Sequence, residues 1–319
     1  MVKVLANDGI SPSGKAKMED YGFEISTDNV PQENLIETIN NEKYDALLVR
    51  SATTVRQDLI DACPGLKLIG RGGVGMDNID VDYARNKGIH VVNTPAASSQ
   101  SVAELVMAHL FNMARFVYDA NREMPTKGAS EFKALKKKYA KGLELRGKTL
   151  GIIGCGRIGQ YTAKYALGCG MNVVALDRNK GKVSVDLEIP GLANSVVEIP
   201  SVSMDELLAK SDFISLHVPA QANGKAVLGT EEFAKMKDGV SIVNAARGGV
   251  IDEAALIAAL DSGKVAHAAL DVFVNEPNPN EAILKHNKVS LTPHIGAATL
   301  EAQDRIGVEL ADLIKEKIG

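Results

Sequence analysis

Short runs of β-branched and other apolar residues alternate with amphipathic segments along the whole chain, and this alternation restricts the fold more than any other feature of the sequence. Strands separated by helices are typical of βα units that feed a parallel sheet, so the pattern predicts an α/β fold. A chain of 319 residues is long enough for two such domains. With 45% hydrophobic and 24% charged residues, the composition excludes disordered and fibrous classes.

Charge and cysteine content narrow the function classes. The 36 Lys and Arg against 40 Asp and Glu give a net charge of -4, so no global positive field gathers nucleic acid or anionic membrane. The three cysteines, Cys63, Cys155 and Cys169, form no CxxC pair, which argues against a disulfide framework or a metal site. Asp8 and Pro12 interrupt any signal peptide, and we expect a cytoplasmic protein.

The first third of the chain contains one βα series. Its candidate strands are residues 2–6, 45–49, 66–69 and 89–93, and a helix is expected at 32–40 behind Pro31. Residues 98–122 form the longest helix candidate, which we interpret as a connector. Residues 131–148 carry six Lys and one Arg against two Glu and are interpreted as a solvated basic arm.

A second series begins at Thr149. Six strands interleaved with helices predict a complete dinucleotide-type sheet. The amphipathic tail, 297–318, follows the last of these strands, and topology alone leaves open whether it returns to the first domain. The six candidate strands are residues 149–153, 171–176, 213–217, 240–244, 266–271 and 289–291.

A glycine-rich turn stands between the first strand of the second series and a helical segment. Gly154, Gly156 and Gly159 have GxGxxG spacing, in which the glycines serve a tight turn, close approach of a pyrophosphate and helix packing. The helix N-terminus adds free N–H groups and a positive dipole end. Asp177, at the end of the next strand, is placed to accept hydrogen bonds from ribose hydroxyls, which favours NAD as the cofactor.

Three further segments place polar residues where a strand should end. They contain Arg247, Asp271 with Glu276, and His294. Ligands of open parallel sheets collect at the carboxyl ends of the strands, so these segments predict a catalytic site. His294 suits a general base near neutral pH, Glu276 is the candidate carboxylate beside it, and Arg247 is suited to hold a substrate carboxylate or polarise its C2 oxygen.

Several motifs in one order resemble the D-isomer-specific 2-hydroxyacid dehydrogenases. They are GIIGCGRIG, LHVP, NAARGGVIDE, DVFVNEP and TPHIGAAT, while RSATTV and GRGGVGMDNID are similar to the branch that oxidises 3-phospho-D-glycerate in serine biosynthesis. The resemblance implies two Rossmann-like domains with parallel sheets. A flavodoxin-like substrate-binding domain would comprise residues 1–97 and 297–319, and an NAD-binding domain 98–296. It also implies a homodimer built by the connector and the arm.

The same resemblance assigns residues to the site. Arg247, Glu276 and His294 would be the catalytic trio. NAD would lie near the glycine loop with Arg157 and Ile158, near Asp177, and near the further positions Val74, His217, Val218, Pro219, Ala245, Asp271, Gly296 and Ala297.

The substrate residues are expected in the first domain. The GRGGVG loop, 70–75, offers successive backbone N–H groups as an anion cradle for a carboxylate. Arg50 and Arg71 each close a strand at the same expected edge, and the resemblance implies that both bind phosphate. The expected substrate-binding set is Arg50, Ser51, Arg71, Gly72, Gly73, Val74, Arg247 and His294, with Lys136, Lys137, Lys138 and Lys141 of the arm as secondary candidates.

Alternatives stay open at this point. Within the family, a glyoxylate or hydroxypyruvate reductase or a D-lactate dehydrogenase is the nearest rival. The alternative from another class is an NAD-sensing interaction protein, because some transcriptional corepressors resemble the same family. Because the sequence ends at Gly319, directly after the tail helix, we expect weak or absent feedback by serine through a C-terminal regulatory domain.

Overall fold

A computed structural model describes residues 1–178, 181–188, 191, 193 and 195–319. The chain divides into two compact units, which are described separately. The first consists of Met1–Ser101 with Ala297–Gly319, and the second of Val102–Gly296. No helix among the described residues is long and apolar enough to cross a lipid bilayer.

The first unit is built on a five-stranded, fully parallel sheet with the order β2-β1-β3-β4-β5. This is the flavodoxin-like order that the family resemblance implies. The central strands are buried on both faces, which explains their continuous apolar runs. The strands are β1 (Lys3–Ala6), β2 (Glu24–Ser26), β3 (Ala46–Val49), β4 (Leu68–Arg71) and β5 (His90–Asn93).

Helices cover this sheet, and the C-terminal helix, Leu300–Ile318, is one of them. Gly14 and Gly307 meet where it packs against the first helix, since a Cβ on Gly14 would lie 2.5 Å from the Gly307 Cα. The segment after Pro31 begins as a 3₁₀ turn, Gln32–Asn34. The other helices of this unit are α1 (Pro12–Asp20), α2 (Leu35–Glu42), α3 (Gln57–Ala62) and α4 (Val81–Asn86).

The second unit contains a six-stranded parallel sheet with the order β13-β12-β11-β10-β6-β7. The connections reverse direction between β6 and β10, which marks the switch point where ligands bind in such sheets. The α/β prediction is confirmed. Two strands of this unit, β8 (Lys182–Leu187) and β9 (Ser195–Pro200), form a separate sheet. The six strands of the parallel sheet are β6 (Thr149–Ile153), β7 (Asn172–Leu176), β10 (Phe213–Leu216), β11 (Val240–Asn244), β12 (Val265–Leu270) and β13 (Val289–Leu291).

The antiparallel pair β8–β9 was not predicted. A signal for it exists, because Val183 and Val185 are buried and alternate with exposed Lys182 and Ser184, the two-residue period of a strand. The helices from here on are α5 (Ser99–Arg115), α6 (Val117–Lys138), α7 (Arg157–Gly168), α8 (Met204–Lys210), α9 (Thr230–Lys235), α10 (Glu253–Ser262) and α11 (Glu281–Leu284).

The prediction of one continuous connector helix over residues 98–122 is wrong, because this range belongs to two helices, α5 and α6. Phe116 adopts a left-handed conformation (φ 55°) and separates α5 from α6, whose start is supported by Asn112 Oδ1 accepting from the Tyr118 N–H at 2.6 Å. The arm is helical as far as Lys138, with a kink at Glu131. Fifteen residues of straight helix would span about 22 Å, yet Lys138 Nζ lies 2.8 Å from a Glu123 carboxylate oxygen, so α6 folds back on itself.

Candidate active site

Each of the six parallel strands in the second unit is followed by one of the expected site residues. Because the carboxyl ends of parallel strands share one edge of the sheet, these residues come from six places in the chain to one region. Four of them follow the strand end directly, whereas Arg247 and His294 stand three residues past it. In chain order the six are Gly154, Asp177, His217, Arg247, Asp271 and His294.

The three glycines of the loop after β6 have different surroundings, in line with the tight turn, the phosphate approach and the helix packing that their spacing predicts. Gly154 has a φ of +90°, and a Cβ there would lie 2.7 Å from the His217 carbonyl oxygen. A Cβ on Gly159 would lie 2.5 Å from the Gly154 carbonyl oxygen, so α7 starts in close contact with the turn. Around Gly156, by contrast, a Cβ would meet no atom within 4 Å. The loop therefore leaves open the position where a phosphate must approach the backbone.

A dinucleotide fits the residues present here. Gly156 is the N-cap of α7 and supplies no side-chain cap, which leaves the first N–H groups of that helix for an anion. A cleft of about 670 Å³ adjoins the loop, a volume ordinary for a cofactor site. Its walls include the expected Gly154, Gly156, Asp177, His217, Val218 and Pro219, and also Arg178, Met204, Gln221, Ala222 and Asn223.

His217 is one of the titratable residues that line this cleft. Its Nε2 lies 2.9 Å from the Ser215 hydroxyl, while its Nδ1 is buried without a partner among the described residues. Burial lowers the pKa of His217 to about 3, so the ring is neutral at physiological pH.

His294 and Glu276, which are 18 residues apart, form a hydrogen-bonded pair. His294 Nδ1 lies 2.7 Å from Glu276 Oε2, and the other Glu276 oxygen accepts from the Phe273 N–H at 2.8 Å. The carboxylate therefore selects the tautomer with hydrogen on Nδ1 and leaves Nε2 to accept a proton. About a third of each side chain is exposed, so the pair is accessible to a small molecule.

The loop carrying His294 is held by Asp271, which is 1% exposed. One Asp271 oxygen accepts from the Thr292 hydroxyl at 2.7 Å and the Ile295 N–H at 2.8 Å, and the other accepts from the Gly296 N–H at 2.9 Å. His294 itself is left-handed, with a φ of 54°. Such backbone strain persists only where surrounding contacts impose it, as the Asp271 carboxylate does here.

Arg247 lies in a turn after β11 that packs against the loop of Glu276. A Cβ on Gly248 would lie 2.0 Å from the Phe273 carbonyl oxygen, so only glycine permits this approach. The Asn244 side chain braces the turn through the Arg247 carbonyl at 2.9 Å and the Ala246 N–H at 3.0 Å. The structure thus links the segments of Arg247, Glu276 and His294. Sequence reasoning did not identify Asn244, which ends its strand.

Comparison with known proteins identifies the family. Residues 107–296 match the model of the D-isomer specific 2-hydroxyacid dehydrogenase NAD binding domain. The chain belongs to this family. It is 46% identical over 305 residues to a hydroxypyruvate reductase of Thermotoga maritima, covering 95% of this chain and 93% of that protein.

Other relatives of this family member are D-3-phosphoglycerate dehydrogenases. The Archaeoglobus fulgidus protein is 42% identical over 98% of this chain, which spans 56% of that protein's length. Among solved structures, a glyoxylate reductase from Paecilomyes thermophila has 32% identity and a TM-score of 0.82, covering 99% of this chain and 94% of that chain. The TT0316 protein from Thermus thermophilus has 30% identity and a TM-score of 0.83, covering 97% of this chain and 94% of that chain.

Six of the eight expected substrate residues, Arg50, Ser51 and residues 71–74, lie in the first unit, whereas Arg247 and His294 lie in the second. Arg71 Nη2 donates to the Ser51 hydroxyl at 3.2 Å, and its guanidinium packs over Gly73, where a Cβ would lie 1.6 Å from Nη1. A Cβ on the neighbouring Gly72 would lie 3.6 Å from Arg50 Cγ. Both arginines therefore flank the glycine turn, and Arg50 has no carboxylate at ion-pair distance among the described residues.

Two residues that sequence reasoning missed hold the segment of Arg50. Asp8 accepts from the Arg50 N–H at 2.6 Å and from the Thr53 hydroxyl at 2.6 Å. Asn78 Nδ2 donates to the carbonyls of Arg50 and Thr53 at 2.8 and 2.6 Å. Asp8 stands two residues past β1, so its position at a strand end was a usable signal.

The anion cradle expected at residues 70–75 is narrower than predicted. The Gly72 N–H donates to the Val49 carbonyl at 2.9 Å, and the Gly73 N–H donates to the Arg71 carbonyl at 3.0 Å. Those two donors are used in holding the turn beside β3 and β4. Among the described hydrogen bonds of residues 72–75, none uses the N–H of Val74 or Gly75, so the predicted cradle would rest on these two donors.

The remaining expected residues belong to several segments of the chain. Val74 and Ala297 belong to the first unit, and Arg157 with Ile158 begins α7. Ala245 precedes the Arg247 turn and Gly296 ends the Asp271-held loop. Of the arm lysines, Lys138 pairs with Glu123, while Lys136, Lys137 and Lys141 are exposed. Their proposed roles stay predictions.

Proposed function

We propose that the protein oxidises 3-phospho-D-glycerate to 3-phosphohydroxypyruvate with NAD, as a step of serine biosynthesis. The observation that carries this choice is the pair of half-buried arginines, Arg50 and Arg71, on either side of one glycine turn. A substrate with both a phosphate and a carboxylate needs more positive charge than a lactate-type substrate, and guanidinium groups bind both anions in two-point geometry. The D-3-phosphoglycerate dehydrogenase relatives support the same choice.

In the proposed mechanism Arg50 and Arg71 bind the phosphate, and Arg247 binds the carboxylate or the C2 oxygen. His294 Nε2 removes the proton of the C2 hydroxyl as the C2–H bond breaks and the carbonyl forms. Glu276 keeps the other ring nitrogen protonated and stabilises the imidazolium that results. NAD, which the glycine loop and Asp177 would hold, would supply the acceptor for the hydride of C2.

The preference for NAD over NADP forms part of the proposal. Asp177 lines the cleft beside the glycine loop, where a carboxylate accepts hydrogen bonds from ribose hydroxyls and repels a 2′-phosphate. Its backbone is held in place, since its N–H donates to the Ser201 hydroxyl at 3.0 Å. Arg178 lines the same cleft and opposes this preference in part.

The second candidate is a hydroxypyruvate reductase. The Thermotoga maritima relative with that name shares 46% identity over 93% of its length, more than the phosphoglycerate dehydrogenases share. The two reactions differ only in the substrate phosphate, so both use the same catalytic trio. The phosphate is therefore the group to vary in a test.

The test is a substrate panel with NAD and NADP cofactors side by side, on wild type, Arg50→Ala and the control Arg56→Ala. Arg56 is an exposed arginine of the same unit that pairs with Asp80. We expect Arg50→Ala to lower kcat/KM for the phosphorylated substrates by about 10- to 100-fold, from the loss of a charge-assisted hydrogen bond. Hydroxypyruvate, glyoxylate and D-lactate should be unaffected, and Arg56→Ala should resemble wild type.

Equal losses on phosphorylated and unphosphorylated compounds would favour the reductase. Absence of turnover with every 2-hydroxy acid would instead favour an NAD-sensing protein.

A homodimer and a cytoplasmic location complete the proposal. The dimer rests on the family resemblance and on the apolar side chains that α5 and α6 expose, Phe111, Val117 and Phe132.

A further inference from the structure

A chain of buried polar groups lies beneath the loop of His294, and the proposed mechanism leaves one of its members without a role. His109 of α5 is 4% exposed, and Asp271 is 1% exposed. Between them stands Thr292, whose hydroxyl oxygen lies 3.2 Å from His109 Nε2 and 2.7 Å from an Asp271 oxygen. Buried polar side chains are retained where each finds a partner, so the direction of each bond can be worked out.

The directions follow from the carboxylate. Asp271 accepts from the N–H groups of Ile295 and Gly296, and an ionised carboxylate only accepts, so the Thr292 hydroxyl must donate its single hydrogen to Asp271. The Thr292 oxygen is then an acceptor toward His109. His109 must therefore carry its hydrogen on Nε2.

The contact of the second ring nitrogen of His109, Nδ1, is consistent with this tautomer. Asn112 Nδ2 donates to the Ser290 hydroxyl oxygen at 2.8 Å, which turns the Ser290 hydrogen toward His109 Nδ1, 3.5 Å away. Nδ1 is thus an acceptor, and the ring is neutral. Burial lowers the pKa of His109, and the nearby charge of Asp271 opposes this shift only in part.

We propose that His109 is a positioning residue for the acid–base histidine. The left-handed backbone of His294 is held by the Thr292 and Asp271 contacts, because the Thr292 carbonyl also accepts from the His294 N–H at 3.1 Å. His109 keeps the Thr292 hydroxyl directed at Asp271 and so keeps this loop in one conformation. The inference rests on the proposed role of His294 and adds a residue from a different element to its support.

Three variants test it. His109→Leu keeps the size of the side chain and removes the donor, while the longer amide of His109→Gln restores a donor toward Thr292. The matched control is His267→Leu, which removes a partly buried histidine of β12 that packs on the Phe116 ring, 5.6 Å away between centroids. His267 makes no hydrogen bond to the His294 loop among the described residues.

We expect His109→Leu to lower kcat about tenfold or more, since small misplacements of a catalytic group are costly. The Kd for NADH, measured by fluorescence, should change less than about threefold, because the glycine loop is untouched. His109→Gln should regain most of the lost kcat, and His267→Leu should match wild type. A His109→Leu enzyme with normal kcat, or a Gln variant as impaired as the Leu variant, overturns the proposal.

A second measurement separates this inference from the proposed function and does not need a folded Leu variant. Two-bond ¹⁵N–¹H spectra of histidine-labelled wild type should contain a neutral ring protonated on Nε2 at pH 7, and its resonances should be absent from His109→Gln. If the resonances that are lost in His109→Gln come from a ring protonated on Nδ1, or on both nitrogens, the hydrogen-bond directions derived for His109 are wrong. Failure of every 2-hydroxy acid as substrate would refute the proposed function while leaving this spectrum unchanged.

Discussion

The chemistry of His294 is defined by what its two ring nitrogens contact. Nδ1 is bound to Glu276 at 2.7 Å, and that carboxylate is held in turn by the Phe273 N–H. Nε2 has no protein partner among the described residues, so it is the atom that can exchange a proton with a substrate. At this scale the structure fixes the orientation and the tautomer of the ring, which are the two properties that the proposed role as a base needs.

Replacing His294 by alanine tests this assignment directly. We expect kcat to fall by roughly 10²- to 10⁴-fold, the range for loss of a general acid–base group, while the Kd for NADH stays near wild type. Steady-state assays of 2-hydroxy acid oxidation measure the first quantity and fluorescence titration the second. Near-normal turnover of the variant would assign the proton transfer to another group.

At the scale of elements, the turn from β6 into α7 combines two glycines with opposite constraints. Gly159 is required by packing, because its hydrogen faces the Gly154 carbonyl oxygen. Gly156 is surrounded by open space and has a φ of -72°, which any residue adopts. Packing therefore does not explain Gly156, and the predicted approach of a cofactor phosphate remains its explanation.

The pair Gly156→Ala and Gly159→Ala separates binding from stability. We expect Gly156→Ala to keep the wild-type unfolding temperature and to weaken NADH binding about tenfold or more, since its methyl group occupies the phosphate position. Gly159→Ala should lower the free energy of unfolding by about 1–3 kcal/mol through overpacking. Thermal unfolding and fluorescence titration measure the two effects. Unchanged NADH binding in Gly156→Ala would place the pyrophosphate elsewhere.

For the whole molecule, buried histidines determine how stability depends on pH. Burial lowers the pKa of His109, His217 and His267, and for His217 the value is about 3. The unfolded chain, in which histidine titrates near 6.5, takes up protons first as the pH falls. The free energy of unfolding is thus unaffected above about pH 6.5 and decreases below it, continuing toward pH 3 for His217. Carboxylates affect the free energy of unfolding only at lower pH. The lysine partners of Glu123, for example, lower the pKa of its carboxyl group to about 2.

Urea unfolding at pH 7.5 and 5.5 tests this linkage without involving the carboxylates. Each buried histidine contributes a slope of at most about 1.4 kcal/mol per pH unit below its unfolded pKa. When the pH is lowered from 7.5 to 5.5, we expect the free energy of unfolding of His217→Asn to decrease by about 1 kcal/mol less than that of wild type. In the control His90→Asn, at an exposed position of β5, the free energy of unfolding should decrease by as much as in wild type. Equal losses in all three proteins would mean that His217 is not buried as a neutral ring.

Local patterns were enough for much of the fold and part of the site. The strands β6, β11 and β13 have the predicted bounds, and the family motifs identify the family. The hairpin β8–β9 and the break at Phe116 were missed. The hairpin had a two-residue period that was overlooked, whereas Phe116 depends on the Asn112 side chain and on tertiary packing.

The sequence by itself determined the two parallel sheets, the glycine turn and the polar residues after four strands of the second sheet, because strand period, helix period and the conformational freedom of glycine are local properties. Only the tertiary structure decided that Glu276 meets His294 across 18 residues, that Asp271 and Thr292 hold the catalytic loop, and that His109 comes to it from α5. It also decided that the Gly72 and Gly73 N–H groups are used within the turn. The physical reason is that a hydrogen bond joins whichever groups packing brings within about 3 Å of each other, and no spacing along the chain specifies that.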